Sequence, residues 1–524
     1  MRENVHAIPT SWLLPASMSR LQYFAGTNNS LLSRGRLKIN PLYIVLTFIV
    51  FICLRWMTFF VIKGDSIHEV IPANRIPRKS QEKINQKYPL VRCPAGNSTQ
   101  TCPAKNSPAR FETQQEASGR VCPEYFRWIH EDLRPWRRTG ITREMMERAI
   151  YESNFRLVIL DGKVYVEKYK DAYQTRDVFT IWGILQLLRF YPGKLPDLDL
   201  VFHCGDLPLI QKSDYDGPEA LTPPPIFDYC SDDSSVGIVF PDWSFWGWPE
   251  IQIKSWVPLK KELEEGNKKS KWMEREPYAY WKGNLLSGYG RLNLSFCNVT
   301  EDYDWNARIY HLDWQAAYYS GYKDTDLASQ CTHRYKIYVE GVTWSVSEKY
   351  ILACDSVTLL VTPKYYDFFT RSLVPLIHYW PINIRDECRS IQFAVDWGNR
   401  NPRKARKIGR AGSKFISEKL EMNNVYDYMF HLLNEYSKLL RYKPVVPLGA
   451  VELCTETMAC TGTKDAEKMY KRESMVKAPA DTGPCEMLPP YDPPALQAFL
   501  DKKEKLLKQV QRWKESGNIA RKTS

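Results

Sequence analysis

Hydrophobic and polar positions change character along the chain. Leu42 to Ile62 is almost wholly apolar, LYIVLTFIVFICLRWMTFFVI, about the length a helix needs to span a bilayer. Residues 63–115 show little periodicity and are rich in Pro, Asn, Ser and Lys. From near Cys122, short apolar runs of strand length alternate with segments of helical period. The pattern predicts a helix from Ile141 to about Tyr151. A hairpin follows, Arg156–Leu160 with Lys163–Glu167, because Asp161-Gly162 supplies a type I′ turn. Next come a helix over Asp177–Tyr191 and strands at Leu198–His203 and Val236–Phe240. Lys260–Lys271 reads as a charged, exposed linker, followed by strands at Tyr278–Trp281 and Arg308–Leu312. In the stretch from His333 to Pro363, Arg334–Glu340 is a buried strand. Ser345-Val346-Ser347-Glu348 fits a capping box opening a helix over Lys349–Cys354, and Ser356–Val361 is a second strand, completing one βαβ unit. A strand at Leu373–Trp380 and helices at Lys404–Met422 and Tyr426–Tyr442 close the body. Past Lys468 the chain is loose until an amphipathic helix, where Leu496, Phe499, Leu500, Leu506, Leu507, Val510 and Trp513 share one face. Packing onto the body is the expectation for that face, ahead of contact with a membrane surface.

Strands alternating with helices in two blocks predict an α/β protein with two Rossmann-like domains facing a cleft, an N-terminal transmembrane helix and a C-terminal helical extension. The corresponding boundaries are a cytosolic tail (1–41), an anchor (42–62), a stem (63–115), an N-terminal Rossmann-like domain (116–270), a C-terminal Rossmann-like domain (271–470), and a Pro-rich linker with the amphipathic helix (471–524). Arg2, Arg20, Arg34, Arg36 and Lys38 face a single acid, Glu3, ahead of the apolar run, so the positive-inside rule gives a type II anchor with a lumenal body. A cleavable signal peptide is the rival; the run is long, starts late and has no small-x-small site. No retrieval signal stands at Lys522-Thr523-Ser524, so retention in the Golgi or endoplasmic reticulum membrane would rest on the anchor.

Composition narrows the function. Hydrophobic residues make up 44% and charged residues 25%, as in a globular protein. The net charge of +12 is interleaved with acids, which serves a small anionic substrate as well as a nucleic acid and gives no reason to expect the latter. Of 13 cysteines all but Cys53 lie beyond the apolar run, an even number available for disulfides. Sequons at Asn97, Asn293 and Asn298 agree with a lumenal body. There is no HExxH or paired CxxC metal spacing, and Cys454 and Cys460 read as a disulfide loop.

In such folds ligands sit beyond the carboxyl ends of strands, so the residues just after strands carry the candidate chemistry. Asp206 follows the Leu198–His203 strand; it is either a base able to deprotonate a hydroxyl or a turn-shaping residue before Leu207-Pro208. Lys282, Gly283 and Asn284, with Arg291, follow a strand in the second block; the cations are either solvated or, with Lys349, balance a diphosphate and stabilise a departing UDP in place of a metal. The turn ahead of Lys349 offers free N–H groups at a helix start, an anion-binding arrangement that is also an ordinary crossover. The aromatic run of Trp243, Phe245, Trp246 and Trp248 is either core or, in one or two members, a platform for a sugar or acceptor. Asp197-Leu-Asp199, Asp302-Tyr-Asp304 and Asp324-Thr-Asp326 match a metal-binding DxD by letter, but the first precedes its strand and the others lie in polar loops.

At Gly205-Asp206-Leu207-Pro208, Pro241-Asp-Trp-Ser-Phe-Trp246, Tyr280-Trp-Lys-Gly283, Arg334-Tyr-Lys-Ile-Tyr-Val-Glu-Gly341 and Trp344-Ser-Val-Ser-Glu-Lys349 the chain resembles glycosyltransferase family 90, over about residues 120–445. That family holds the rumi-like protein O-glucosyltransferases and capsule xylosyltransferases; the anchor, the Trp-Lys-Gly-Asn form and the Cys-rich C-terminal extension look like its plant branch. The resemblance implies a GT-B fold, a UDP-sugar donor, no metal or other cofactor, and inversion with an aspartate base. It places the base on Asp206, the phosphate-side cations on Lys282 and Arg291, and the donor segment on Gly341, Val342, Thr343, Trp344, Ser345, Val346 and Ser347. The partners it implies are the UDP-sugar and a protein or polysaccharide hydroxyl acceptor. Animal members carry Arg at Ser347 and Arg-Gly-Ser-Arg at Lys282-Gly-Asn-Leu285, which leaves glucose and xylose both open as the donor sugar. A polysaccharide xylosyltransferase and a catalytically inactive lumenal glycan-binding protein are the other expectations.

Overall fold

The computed structural model describes residues 88, 91, 102, 118–217, 221–460 and 465–522. The tail, the anchor with Cys53, and most of the stem with Asn97 lie outside them. Among the described residues no helix is long and apolar enough to cross a membrane.

The strands are β1 (Phe155–Leu160), β2 (Lys163–Lys168), β3 (Leu198–Phe202), β4 (Phe227–Asp228), β5 (Ile238–Val239), β6 (Glu276–Gly283), β7 (Ala307–His311), β8 (His333–Tyr338), β9 (Val357–Val361), β10 (Trp380–Ile382) and β11 (Val451–Leu453). The helices are α1 (Trp128–Asp132), α2 (Arg143–Ile150), α3 (Arg176–Phe190), α4 (Trp256–Lys269), α5 (Tyr289–Ser295), α6 (Trp314–Tyr319), α7 (Ser347–Ala353), α8 (Glu387–Arg400), α9 (Pro402–Lys419), α10 (Met422–Ser437), α11 (Thr455–Cys460), α12 (Asp465–Glu473) and α13 (Pro493–Lys522).

The first sheet runs β11-β2-β1-β3-β4-β5. Its β1–β2 hairpin closes with Leu160 opposite Lys163, and Asp161 and Gly162 have φ of 50° and 73°, as a type I′ turn requires. Strand β1 also pairs antiparallel with β3, and β3, β4 and β5 are parallel. Helix α3, apolar almost all round, is buried along nearly its whole length. Gly183 lets it approach the Trp246 ring, from which a Cβ would be only 2.6 Å away. Asp199 points inward from β3 and is held by Arg156 at 2.8 and 2.6 Å.

The second sheet, β10-β9-β8-β6-β7, is wholly parallel. Numbered along the chain this is the order 2-1-3-4-5, so the connections diverge between β6 and β8, and a doubly wound sheet binds ligands outside that point. Both sheets fit a Rossmann-like α/β architecture.

The chain crosses between these halves repeatedly. Residues 422–453, assigned from sequence to the second half, return to the first: β11 extends its sheet and Tyr428, Leu432 and Tyr436 of α10 join its core. Lys349 and Asp242 form a buried ion pair at 2.9 Å. Arg371 grips Asp132 with two bonds, of 2.6 and 2.7 Å, between the rings of Trp128 and Tyr366. Disulfides join Cys102–Cys454, Cys122–Cys485, Cys297–Cys388 and Cys331–Cys354. The expected Cys454–Cys460 loop is therefore absent, although Cys460 is also disulfide-bonded. Cys204 and Cys230 are free and buried beneath the junction of the halves.

Other expectations change for identifiable reasons. The supposed linker at Lys260–Lys271 is mostly helix α4, because Trp256, Leu259, Leu263 and Gly266 make a buried stripe under its charges. The expected strand Leu373–Trp380 shrinks to β10, and the segment before it is irregular. Helix α8 is new; Ile391, Ala394, Val395 and Gly398 are its buried face. Helix α12 occupies part of the supposedly loose segment. Helix α13 lies on the body, with Trp513 stacked on Trp397 at 5.8 Å and Lys514 bonded to Asp386 at 2.6 Å.

Removing one member of the buried Lys349–Asp242 pair strands the other in the core. Lys349→Met is expected to lose about 3–5 kcal/mol in urea unfolding, and Lys349→Met with Asp242→Asn to recover much of it. A single variant as stable as wild type would contradict this. Glu387, in the first turn of α8, is only 6% exposed, neither of its oxygens meets a donor, and burial pushes its carboxyl up to about 8. A raised folded-state value means that its contribution is complete below the ordinary carboxylate range and is lost as pH rises through about 8. Glu387→Gln is therefore expected to gain on the order of 1–3 kcal/mol over wild type at pH 9 and little at pH 4. An equal difference at both pH values would contradict the assignment.

Candidate active site

The five residues of β3 are all buried, and the chain leaving them turns at Cys204-Gly205-Asp206. His203 donates to, or accepts from, Asp228 through Nδ1 at 2.8 Å, and its ring lies under the turn. A Cβ at Gly205 would fall 2.4 Å from His203 Nε2, so only glycine fits there without a shift. The Asp206 side chain emerges 44% exposed. Arg176, at the start of α3, donates through Nη1 to Asp206 Oδ1 at 2.9 Å and to the Cys204 carbonyl at 3.1 Å. Its guanidinium is held between Trp243 at 4.5 Å and Tyr173 at 5.1 Å. The Asp206 carbonyl accepts from Thr343 Oγ1 at 2.8 Å, which brings the loop after β8 onto the turn after β3.

Opposite, at the switch between β6 and β8, stands Arg291 of α5. It donates to Ser345 Oγ at 3.0 Å, Ser287 Oγ at 3.1 Å and the Glu340 carbonyl at 3.2 Å. Burial pushes its guanidinium down from its usual range, and the phenol of Tyr338 and the carboxylate of Asp206 oppose that shift. Arg291 and Asp206 thus feel each other across the junction. Ser345 Oγ also bonds Ser347 Oγ at 2.8 Å, and the Ser345 N–H donates to Tyr338 at 3.0 Å. The loops after β6 and β8 touch: a Cβ on Gly288 would lie 2.2 Å from the Gly341 carbonyl oxygen. Leu207 and Tyr173 are exposed near the carboxylate, and Val342 is exposed on the loop after β8.

The expected site residues divide accordingly. Asp206, Arg291, Gly341, Val342, Thr343, Ser345 and Ser347 gather at the junction, and Asn284 joins them through its carbonyl, 3.5 Å from Arg291 Nη1. Gly283 ends β6, its carbonyl accepting from Leu312 at 2.7 Å. Lys282 faces the opposite side of β6 from Trp281, the ring beneath Arg291, and its ammonium donates to the Asp324 carbonyl at 2.6 Å. Val346 precedes α7, and Trp344 packs on Tyr229 and Trp243.

Lys349 needs correcting as a phosphate-side cation: it is 2% exposed and its charge is neutralised by Asp242. The capping box is also absent. Helix α7 starts at Ser347, and Glu348 is buried, with its carboxyl raised by burial and by Asp367. Trp243, Phe245 and Trp246 are not a platform, since all are buried. Trp243 instead supports Arg176, and the Trp246 indole donates to Tyr426 at 3.2 Å.

Asn293 lies within α5, and the Asn298 carboxamide bridges to Ile309 in both directions, at 3.2 and 2.9 Å. Among the DxD carboxylates, Asp199 is bound by Arg156 and Asp304 by Arg308. Among the described residues the side chains close enough to share a metal ion are Cys122, His431 and Cys485, and these two cysteines form a disulfide. The reading of the sequence missed Arg176, whose only local signal was a charge opening an otherwise apolar helix. It also missed Asp242, the partner of Lys349.

A half-exposed carboxylate fixed by a buried guanidinium, facing an arginine with serine hydroxyls at a parallel-sheet switch point, can take a proton from a hydroxyl next to a bound anion. The family model for glycosyl transferase family 90 matches residues 117–514. Human protein O-glucosyltransferase 1 is 26% identical over 352 residues, covering 63% of this chain and 84% of the relative. O-glucosyltransferase rumi of Drosophila melanogaster is 26% identical over 332 residues, covering 60% and 77%. The chain belongs to glycosyl transferase family 90 and is a glycosyltransferase.

Proposed function

We propose that this enzyme moves glucose, or xylose, from a UDP-sugar to a hydroxyl acceptor with inversion, in a GT-B arrangement whose two halves meet at Asp206. The observation that carries the reading is the Thr343–Asp206 bond of 2.8 Å, which sets the carboxylate of one half against the switch-point loop of the other. Asp206 takes the acceptor's proton, the freed oxygen bonds the anomeric carbon from the face opposite the phosphate, and the carbon–phosphate oxygen bond breaks. UDP leaves with the electron pair. Arg291 and the hydroxyls of Ser345 and Ser347 hold its diphosphate through charge-assisted bonds. Lys282 and Lys349, being engaged elsewhere, are left out of that set. Protein donors already in place, with Asp199 and Asp304 each held by an arginine, support transfer without a metal.

The relatives' names favour glucose, while Ser347 and the Lys282-Gly-Asn-Leu285 form keep xylose in the reading. The disulfides support a lumenal body, and with the Leu42–Ile62 run they support a type II anchor in the Golgi or endoplasmic reticulum membrane.

With UDP-glucose and UDP-xylose supplied separately, the full chain is expected to release UDP from one in preference, undiminished by EDTA. Loss of release in EDTA would contradict the metal-free mechanism. Asp206→Asn should lower release by about 10²–10⁴-fold with UDP affinity kept, and full turnover would remove Asp206 from the mechanism. Arg291→Ala should weaken UDP binding by about 10–100-fold in calorimetry.

A further inference from the structure

Asp206 is held at both ends by groups from different parts of the chain. Arg176 fixes its carboxylate through Oδ1, leaving Oδ2 for a proton. At its backbone, Thr343 Oγ1 donates to the carbonyl at 2.8 Å and Cys230 Sγ approaches the same oxygen at 3.5 Å. Thr343 is 2% exposed, so its hydroxyl is turned into the protein and away from anything bound at the surface of the loop. Its neighbours divide the other tasks: Val342 is exposed, and Ser345 bonds Arg291. The sequence places Thr343 in the donor segment; its hydroxyl is on the base.

We propose that Thr343 is a positioning residue for the Asp206 base, locking the turn after β3 to the donor-side loop after β8, while Arg176 sets the carboxylate's rotation. The base then moves with the loop that carries Ser345, so its height above the donor is fixed by the half that binds the nucleotide. A displacement of about 1 Å at a reacting group costs on the order of 10²-fold in rate, which makes such a lock consequential. One hydroxyl bond is responsible for only part of this, because Cys230 and the backbone remain.

The proposal rests on the glycosyl-transfer reading, and it is tested with the full chain, using UDP-glucose with water as acceptor and UDP as the binding probe. Thr343→Val, which keeps the branched shape and deletes the hydroxyl, is expected to lower UDP release about ten-fold while UDP affinity stays within about two-fold. Thr343→Ser, which restores the donor, should return release to within about three-fold of wild type. Arg176→Lys, acting at the other end of the same residue, should also lower release without weakening UDP, and it carries the test if Thr343→Val does not fold. Undiminished release in Thr343→Val or in Arg176→Lys overturns the proposal, as does loss of UDP affinity in step with release, which would make Thr343 a donor contact. Asp206→Asn run alongside separates the two levels. If it is inactive while Thr343→Val is fully active, only the positioning role falls. If it turns over like wild type, the transfer reading falls and takes this one with it.

Discussion

Two sheets of different construction present their carboxyl edges to one place, and a hydrogen bond between Thr343 and the Asp206 carbonyl marks it. The arrangement depends on that meeting. The mixed first sheet supplies one short parallel strand, β3, to carry the turn; the wholly parallel second sheet supplies a switch point between β6 and β8. A carboxylate alone, or an arginine with two serines alone, would be ordinary surface chemistry. Brought together, they form the arrangement proposed here, a proton acceptor on one side and a seat for a leaving anion on the other.

Keeping that geometry demands a rigid connection between the halves, and the chain provides it largely with buried charge. Lys349–Asp242 and Arg371–Asp132 are desolvated pairs, which contribute little net stability but are costly to misplace, so they specify one packing. The aromatic run from Trp243 to Trp248 packs beside the first of them, Phe245 lying against both Lys349 and Phe368. Its placement explains why a stretch so rich in Trp lies inside: Trp243 lies against Arg176, Trp246 against Gly183 of α3, and Phe245 against Lys349. Through Trp243 the run backs Arg176, which in turn holds Asp206.

Much of this could be read from residue order. Strands β1, β2, β3, β6, β7, β8 and β9 each carry a short run of apolar, aromatic or β-branched residues, so local pattern sufficed. The hairpin turn at Asp161-Gly162 followed from backbone sterics alone. Asp206 and Arg291, which lie at the junction, could be singled out because they come after strands. Lys349 misled because a lysine near a helix start reads as an anion ligand, and nothing local announces that Asp242, more than a hundred positions away, will bury and neutralise it. Arg176 was invisible for the same reason: its meaning lies in Asp206, Trp243 and Tyr173, which only the fold assembles. Helix α4 was hidden by its Lys and Glu content, since a narrow buried stripe of Trp256, Leu259 and Leu263 is enough to hold it.

The most direct measurement is the position of UDP in a crystal of the full chain grown with the nucleotide. The account places the diphosphate within hydrogen-bond distance of the Arg291 guanidinium and Ser345, its terminal phosphate on the side facing the Asp206 carboxylate. UDP seated elsewhere, or a diphosphate at Arg291 with Asp206 turned away from it, would contradict the account.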